Sequence, residues 1–245
     1  MILAVDCGNS RLKWGLHENG GWRRTGAVPV SEIGRLEKSW ERLVPADDVI
    51  VANVAGRSVR KRLETLFARR SIVPAWVKAK QRECGVMNGY GRPDQLGPDR
   101  WAALIGAWSI FRGPCLVVTA GTATTVDVLR GDGRFVGGVI LPGLDLMKRS
   151  LARGTAELPL ARGRFSAEPR NTADAIETGC LLAQAGAIER AFATMEHGAA
   201  CVLAGGAARL IARHLNIPVR LVDNLVLEGL VRISQDAVKS PHGKS

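Results

Sequence analysis

With 245 residues and 46% apolar content, the chain is long enough for one large α/β domain or two of modest size, and no run of about 18 apolar residues suggests a membrane span. Lysine and arginine outnumber aspartate and glutamate by 34 to 23, a net charge of +11 that attracts anions without choosing among them. The five cysteines are odd in number and never spaced as CxxC, which argues against a disulfide framework or zinc site, and Met1-Ile-Leu-Ala-Val-Asp lacks the basic start of a signal peptide, so a cytoplasmic location is expected.

Ile2 to Val5 is a short apolar run that enters Asp6-Cys7-Gly8-Asn9-Ser10, and Leu12, Trp14 and Leu16 then alternate as a second strand. A third strand is expected over Trp22–Val28, a helix capped by Ser31 over Ser31–Leu43, a buried strand over Val49–Asn53 and a helix over Arg57–Arg70. That last helix carries the densest basic group as one face. The other basic residues are scattered, which argues against nucleic acid as the primary partner. Cys84 to Gly97 holds Gly85, Gly89, Gly91, Pro93 and Gly97 and reads as a loop. Pro98-Asp99-Arg100-Trp101 opens a helix to about Phe111, with Pro98 suited to the first turn.

Beyond Pro114 the opening pattern returns. Leu116 to Thr122 lies over Ile2 to Asn9 as an apolar strand entering a glycine turn, and Thr124–Leu129 alternates as the strand that follows. This reads as an internal duplication with a period of about 113 residues, giving domains at 1–113 and 114–245 that face one another across a central cleft. The second half continues with a strand at Phe135–Leu141, a long helix at Thr172–Met195, a strand at Ala200–Ala204, a helix opened by Gly205-Gly206 and running through His214, and a tail at Ser240–Ser245.

The turn at Asp6-Cys7-Gly8-Asn9-Ser10-Arg11-Leu12-Lys13 brings together a carboxylate, a glycine, short polar side chains and a lysine. Such a turn lets backbone N–H groups approach a phosphate, with the carboxylate available to hydrated Mg²⁺ and the lysine to phosphate charge. The competing reading is a plain hairpin with Asp and Asn as turn formers. Ala120-Gly121-Thr122-Ala123-Thr124-Thr125 repeats the glycine and adds hydroxyls, against the alternative of a threonine-rich strand. Ala204-Gly205-Gly206-Ala207 follows a strand, where a nucleoside could approach the backbone. There is no GxGxxG at that point and no GxxxxGK[ST] in the chain. His17, His197, His214 and His242 show no metal-ligand spacing.

Asp6-x-Gly8-Asn9-Ser10-x-x-Lys13, Gly97-Pro98-Asp99-Arg100, Gly121-Thr122-Ala123-Thr124-Thr125 and Asn171-Thr172 resemble the ordered motif set of type III pantothenate kinases, a family also labelled Bvg accessory factor. The resemblance implies two duplicated RNase H-like domains of the acetate and sugar kinase/Hsp70/actin type, a homodimer, and ATP-dependent phosphorylation of pantothenate, the first step of coenzyme A synthesis. It also implies ATP contacts at Asp6, Cys7, Gly8, Asn9, Ser10, Arg11, Leu12, Lys13 and Thr122, and pantothenate contacts at Tyr90, Gly97, Pro98, Asp99, Arg100 and Thr172, with Asp99 as catalytic base. Mg²⁺ would be served by Asp6, and a monovalent cation, K⁺ or NH₄⁺, by an aspartate in the second turn. Here the chain departs from the pattern, because that position is Thr119. On residues alone Asp99 is equally a favourable acid at an electropositive helix start, and Arg100 a solvated helix arginine. Other readings are a different small-molecule kinase of the same fold, or a basic regulatory protein built on a kinase scaffold.

Overall fold

The computed structural model describes residues 1–36, 40, 46, 48–160 and 162–239. The chain divides into two compact units, one formed by residues 1–112 with the segment from Asn224 onward, the other by Gly113–Asp223.

The first unit is built on a five-stranded sheet of order β3-β2-β1-β4-β5. Its strands are β1 (Ile2–Cys7), β2 (Arg11–Glu18), β3 (Gly21–Pro29), β4 (Asp48–Asn53) and β5 (Ala75–Trp76). β1, β2 and β3 pair antiparallel, whereas β4 and β5 continue in parallel from β1. Period-two alternation sends Leu3, Val5 and Cys7 of β1 into one core with Leu12, Trp14, Val49 and Val51. Helix α1 (Arg57–Ala68) closes that core with Val59, Leu63, Leu66 and Phe67. Its basic face points outward: Arg57, Lys61 and Arg62 are exposed, while Arg60 pairs with Glu64 at 2.8 Å and lies 4.4 Å from the Trp76 ring centroid. The helix expected over Ser31–Leu43 falls only partly within the described residues, where it begins with a 3₁₀ turn at Val30–Glu32 and no side-chain cap from Ser31, and the tail at Ser240–Ser245 lies outside them.

Helices α2 (Pro98–Phe111) and, at the end of the chain, α6 (Leu225–Lys239) pack against each other and contact β4, α6 also reaching β1. They approach so closely that a Cβ on Gly229 would lie 1.8 Å from the Ala102 carbonyl oxygen, so only glycine fits there. A hydrogen bond of 2.8 Å from Ser234 Oγ to Asp48 Oδ2 ties α6 to β4. The last helix thus belongs with the first unit, not with the domain expected over 114–245. The segment read as a loop over Cys84–Gly97 is also more ordered than expected. β6 (Arg82–Glu83) and β7 (Val86–Asn88) form a hairpin whose turn residues, Cys84 and Gly85, both take positive φ, and Pro93–Gln95 is a short 3₁₀ turn. The glycine that signalled a break supplies the hairpin turn, and Val86 and Asn88 are buried.

The second unit repeats the architecture. β8 (Cys115–Ala120) pairs antiparallel with β9 (Ala123–Leu129), which pairs antiparallel with β10 (Arg134–Pro142). β11 (Ala200–Ala204) and β12 (Val219–Leu221) extend the sheet in parallel from β8. The order β10-β9-β8-β11-β12 and every pairing sense match the first sheet, which is the expected duplication in three dimensions. Helices α3 (Leu144–Gly154), α4 (Thr172–Phe192) and α5 (Ala208–Ala212) complete it. Leu116, Val118 and Ala120 of β8 pack with Ile176, Cys180, Leu181 and Ile188 of α4 and Ile211 of α5. α5 starts two residues after the Gly205-Gly206 pair, at Ala208, because Gly205 to Ala207 form the turn into it. Among the described residues no helix is long and apolar enough to cross a membrane.

Candidate active site

The first glycine turn joins β1 to β2. Gly8 N donates to the Arg11 carbonyl at 3.1 Å, closing the turn, and leaves Asn9, Ser10 and Arg11 exposed at its tip. Cys7 and Leu12 are fully buried core residues, so they are available to a ligand only through their backbones. Asp6 and Lys13 are register partners across β1 and β2 and therefore share a face. It is the face opposite Leu3, Val5 and Cys7, and it looks toward the start of α2.

There Gly97 is the residue before the helix, Pro98 takes the first position and Asp99 the second. The Asp99 side chain folds back so that a Cβ on Gly97 would meet its Oδ1 at 2.6 Å. Burial pushes the Asp99 carboxyl above the usual carboxylate range, partly opposed by hydrogen bonds from the backbone N–H groups of Arg100 and Asp99 and by the Arg100 charge. Asp6 is displaced further. Burial first and the Asp99 charge second raise its carboxyl from 3.8 to about 7, with Lys13 acting in the opposite direction. Asp6 thus senses the Asp99 charge between the end of β1 and the first turn of α2.

Arg100 is 6% exposed and donates from Nη1 to the Tyr90 hydroxyl at 3.2 Å, its guanidinium 5.8 Å from the ring centroid. The hairpin that precedes Tyr90 is fastened to α2 next door: Trp101 Nε1 donates to Glu83 Oε2 at 2.8 Å. Five of the expected positions, Tyr90, Gly97, Pro98, Asp99 and Arg100, are therefore one cluster, and Asp6 joins them through its charge.

In the second unit the turn between β8 and β9 is closed by Gly121 N donating to the Ala123 carbonyl at 3.0 Å. Two other turns gather on this strand end. The Thr122 carbonyl accepts from Gly143 N at 2.9 Å, and the Ala120 carbonyl accepts from Ala207 N at 3.1 Å. Gly205 has φ of +102°, and a Cβ there would sit 2.3 Å from the Ala120 oxygen, so the third glycine turn is pressed against the second. Thr119 and Thr125 are register partners, and Thr125 Oγ1 is buried with no hydrogen-bond partner among the described residues. Asp127, two residues along β9, is paired with Val117 and is 1% exposed. Thr172 opens α4 behind Asn171, whose Oδ1 accepts from Asp174 N at 2.9 Å, and it lines an apolar cavity of about 530 Å³ with Met147, Leu151, Ile176 and Cys180.

Sequence reasoning missed the effect of Asp99 on Asp6, which depends on residues far apart in the chain, and missed Asn88 and Glu83, which hold the Tyr90 loop. No group of three His, Cys, Asp or Glu side chains able to hold a metal occurs among the described residues.

The family model of type III pantothenate kinase matches residues 2–194. A type III pantothenate kinase of Aromatoleum aromaticum is 48% identical over 238 residues, covering 96% of this chain and 98% of its own. One from Azoarcus sp. is 49% identical over 249 residues, covering 99% and 95%. Among solved structures, a Campylobacter jejuni protein provisionally called a Baf family transcriptional activator aligns with a TM-score of 0.63 at 19% identity, covering 98% of each chain. The activator of 2-hydroxyisocaproyl-CoA dehydratase from Clostridium difficile, solved with bound ADPNP, aligns with a TM-score of 0.53 at 12% identity, covering 100% of this chain and 98% of that one. These distant structures establish the acetate and sugar kinase/Hsp70/actin fold. The sequence matches go further: the chain belongs to the type III pantothenate kinase family.

Proposed function

We propose that this chain transfers the γ-phosphoryl group of ATP to the primary hydroxyl of pantothenate, giving 4′-phosphopantothenate in the first step of coenzyme A synthesis. The observation that carries the reading is the desolvated Asp99 carboxyl at the start of α2, set beside Asp6 and next to the buried Arg100–Tyr90 pair. The hydroxyl oxygen bonds to the γ-phosphorus while the bond to the bridging oxygen breaks, its electron pair leaving with ADP. The hydroxyl proton passes to Asp99, whose raised pKa makes it a better base than an exposed carboxylate. Arg100 offers pantothenate's carboxylate a forked pair of donors, and Tyr90 and Thr172 are further substrate contacts. The segment Asp6–Lys13 and Thr122 hold the ATP phosphates, and the Gly205 turn the nucleoside.

Mg²⁺ suits Asp6, because the repulsion from Asp99 is the kind of strain a cation relieves. A single carboxylate with waters and phosphate oxygens is an ordinary set of ligands for it. When bound it neutralises charge on the phosphates. K⁺ or NH₄⁺ at the second turn would meet only neutral oxygens such as those of Thr119 and Thr125, so the cation should be held weakly. The exposed Val139, Ile140, Leu146 and Leu151 of β10 and α3 support a homodimer. A cytoplasmic location belongs to the same reading.

The test is ADP release by the purified protein with Mg²⁺, ATP and K⁺ or NH₄⁺, across pantothenate and a panel of sugars and small carboxylates. Turnover with pantothenate above the no-enzyme control is expected. Activity confined to another acceptor would move the reading to a different kinase of this fold, and none at all would favour a scaffold role.

A further inference from the structure

Tyr90 sits in a glycine-rich stretch, Gly89-Tyr90-Gly91-Arg92-Pro93, whose two glycines leave its backbone free to take many shapes. What fixes it is the side chain just before it. Asn88 is 2% exposed, and both ends of its amide are in use: Oδ1 accepts from Tyr90 N at 3.0 Å, and Nδ2 donates to the Pro93 carbonyl at 3.3 Å. Its backbone is pinned as well, with Asn88 N donating to the Gln81 carbonyl at 2.9 Å and its own carbonyl accepting from Gln81 Nε2 at 3.0 Å. One side chain therefore spans the entry and the exit of the stretch, and the preceding hairpin is anchored to α2 by the Glu83–Trp101 hydrogen bond. The chain of contacts ends at the Tyr90 hydroxyl, which accepts from Arg100 Nη1.

We propose that Asn88 is a positioning residue for the acceptor substrate: by bridging Tyr90 N and the Pro93 carbonyl it sets the Tyr90 ring against Arg100 and so defines the acceptor pocket. The inference rests on the reading of Tyr90 and Arg100 as pantothenate contacts. Asn88 is buried with both ends of its amide engaged within the loop, so its loss acts through the loop. Asn88→Ala removes both amide bonds and frees the stretch to sample other conformations, which taxes pantothenate binding by the fraction of molecules still in the competent shape. ATP binding does not involve this stretch and should be indifferent. Asn88→Ser retains an acceptor able to form the same local turn to Tyr90 N, without the bond to Pro93.

The experiment is steady-state kinetics for wild type, Asn88→Ala and Asn88→Ser, varying pantothenate and ATP separately. Asn88→Ala should raise the pantothenate KM about 10-fold, the equivalent of one to two lost hydrogen bonds. The ATP KM should stay within about twofold, and Asn88→Ser should recover most of the loss. Hydrogen exchange on the wild-type protein gives a second readout that needs no variant: pantothenate alone should slow exchange of peptides covering Gly89–Gln95 but not those of β3. An unchanged pantothenate KM in Asn88→Ala, KM values for both substrates rising together, or exchange at Gly89–Gln95 indifferent to pantothenate would each overturn the proposal. Those results with a wild type that turns pantothenate over leave the function standing, whereas no turnover by wild type removes the function and this inference together.

Discussion

Replacing Asp6 by asparagine separates what the site costs from what it does. The Asp6 carboxyl is raised from 3.8 to about 7 by burial and by Asp99. At 1.36 kcal/mol for each tenfold change in proton affinity, holding it ionised costs the folded, ligand-free protein up to ~4 kcal/mol. The sign follows from linkage. Between about pH 4 and pH 7 the unfolded chain has released this proton while the folded chain retains it, so this group's contribution to stability falls as pH rises through that window and is flat above it. Asp6→Asn keeps the shape, cannot ionise and lacks the decline. Ligand-free Asp6→Asn should match wild type near pH 4 and exceed it by ~2–4 kcal/mol at pH 8, a Tm difference of about 5–10 °C for a chain of this size. The assay is thermal melting of both proteins from pH 4 to pH 8.5 without nucleotide or Mg²⁺. The same variant should lose phosphoryl transfer, and wild type should take up less Mg·ATP as pH falls below 7, since the ligand favours the ionised carboxylate. Parallel melting curves for the two proteins across the whole range would refute the reasoning, because they would mean that Asp6 ionises in the fold as it does in water.

Asp99→Asn should lower kcat by about 10²- to 10⁴-fold with melting temperature preserved, since the amide cannot accept the hydroxyl proton; near-normal kcat would leave Asp99 as a helix-end acid alone. Thr119→Asp should lower the K⁺ concentration giving half-maximal turnover, because a carboxylate adds the attraction that neutral oxygens lack. A K⁺ titration with an unmoved midpoint would show that position 119 does not govern the cation.

The features legible in the sequence were those with a strong local period. Ile2–Val5 and Leu116–Val118 announce buried strands by apolar runs, and Pro98 marks the start of α2 to the residue. The duplication was visible for the same reason, as each copy begins with a strand and a glycine turn. What stayed hidden depends on partners far along the chain. Leu225–Lys239 packs against α2, a contact that no spacing announces, so the repeat alone places the end of the chain with the second half whereas it belongs with the first unit. Gly85 reads as one of several breakers in a loop, although two consecutive positive-φ residues, Cys84 and Gly85, are what a tight hairpin turn needs. Within the site, Asp99 and Arg100 were legible as a helix start. The raised carboxyl of Asp6 was not, because it arises from burial and from the charge of Asp99, far along the chain.

The two glycine turns show how one backbone plan takes on two chemistries. β1 with β2 and β8 with β9 have the same pairing sense, and each closes on a short glycine turn. In the first copy the register pair beside the turn is Asp6 with Lys13; in the second, the pair at the equivalent place is Thr119 with Thr125. A desolvated carboxylate next to a lysine makes the first turn responsive to cations and protons, and its cost is carried by the ligand-free fold. Hydroxyls carry no such cost, so the second turn can be packed tightly by the Gly143 and Gly205 turns without stranding a charge. A carboxylate at 119 would add a charge that a proton, water or a cation must balance. With threonine there, the turn carries no such charge.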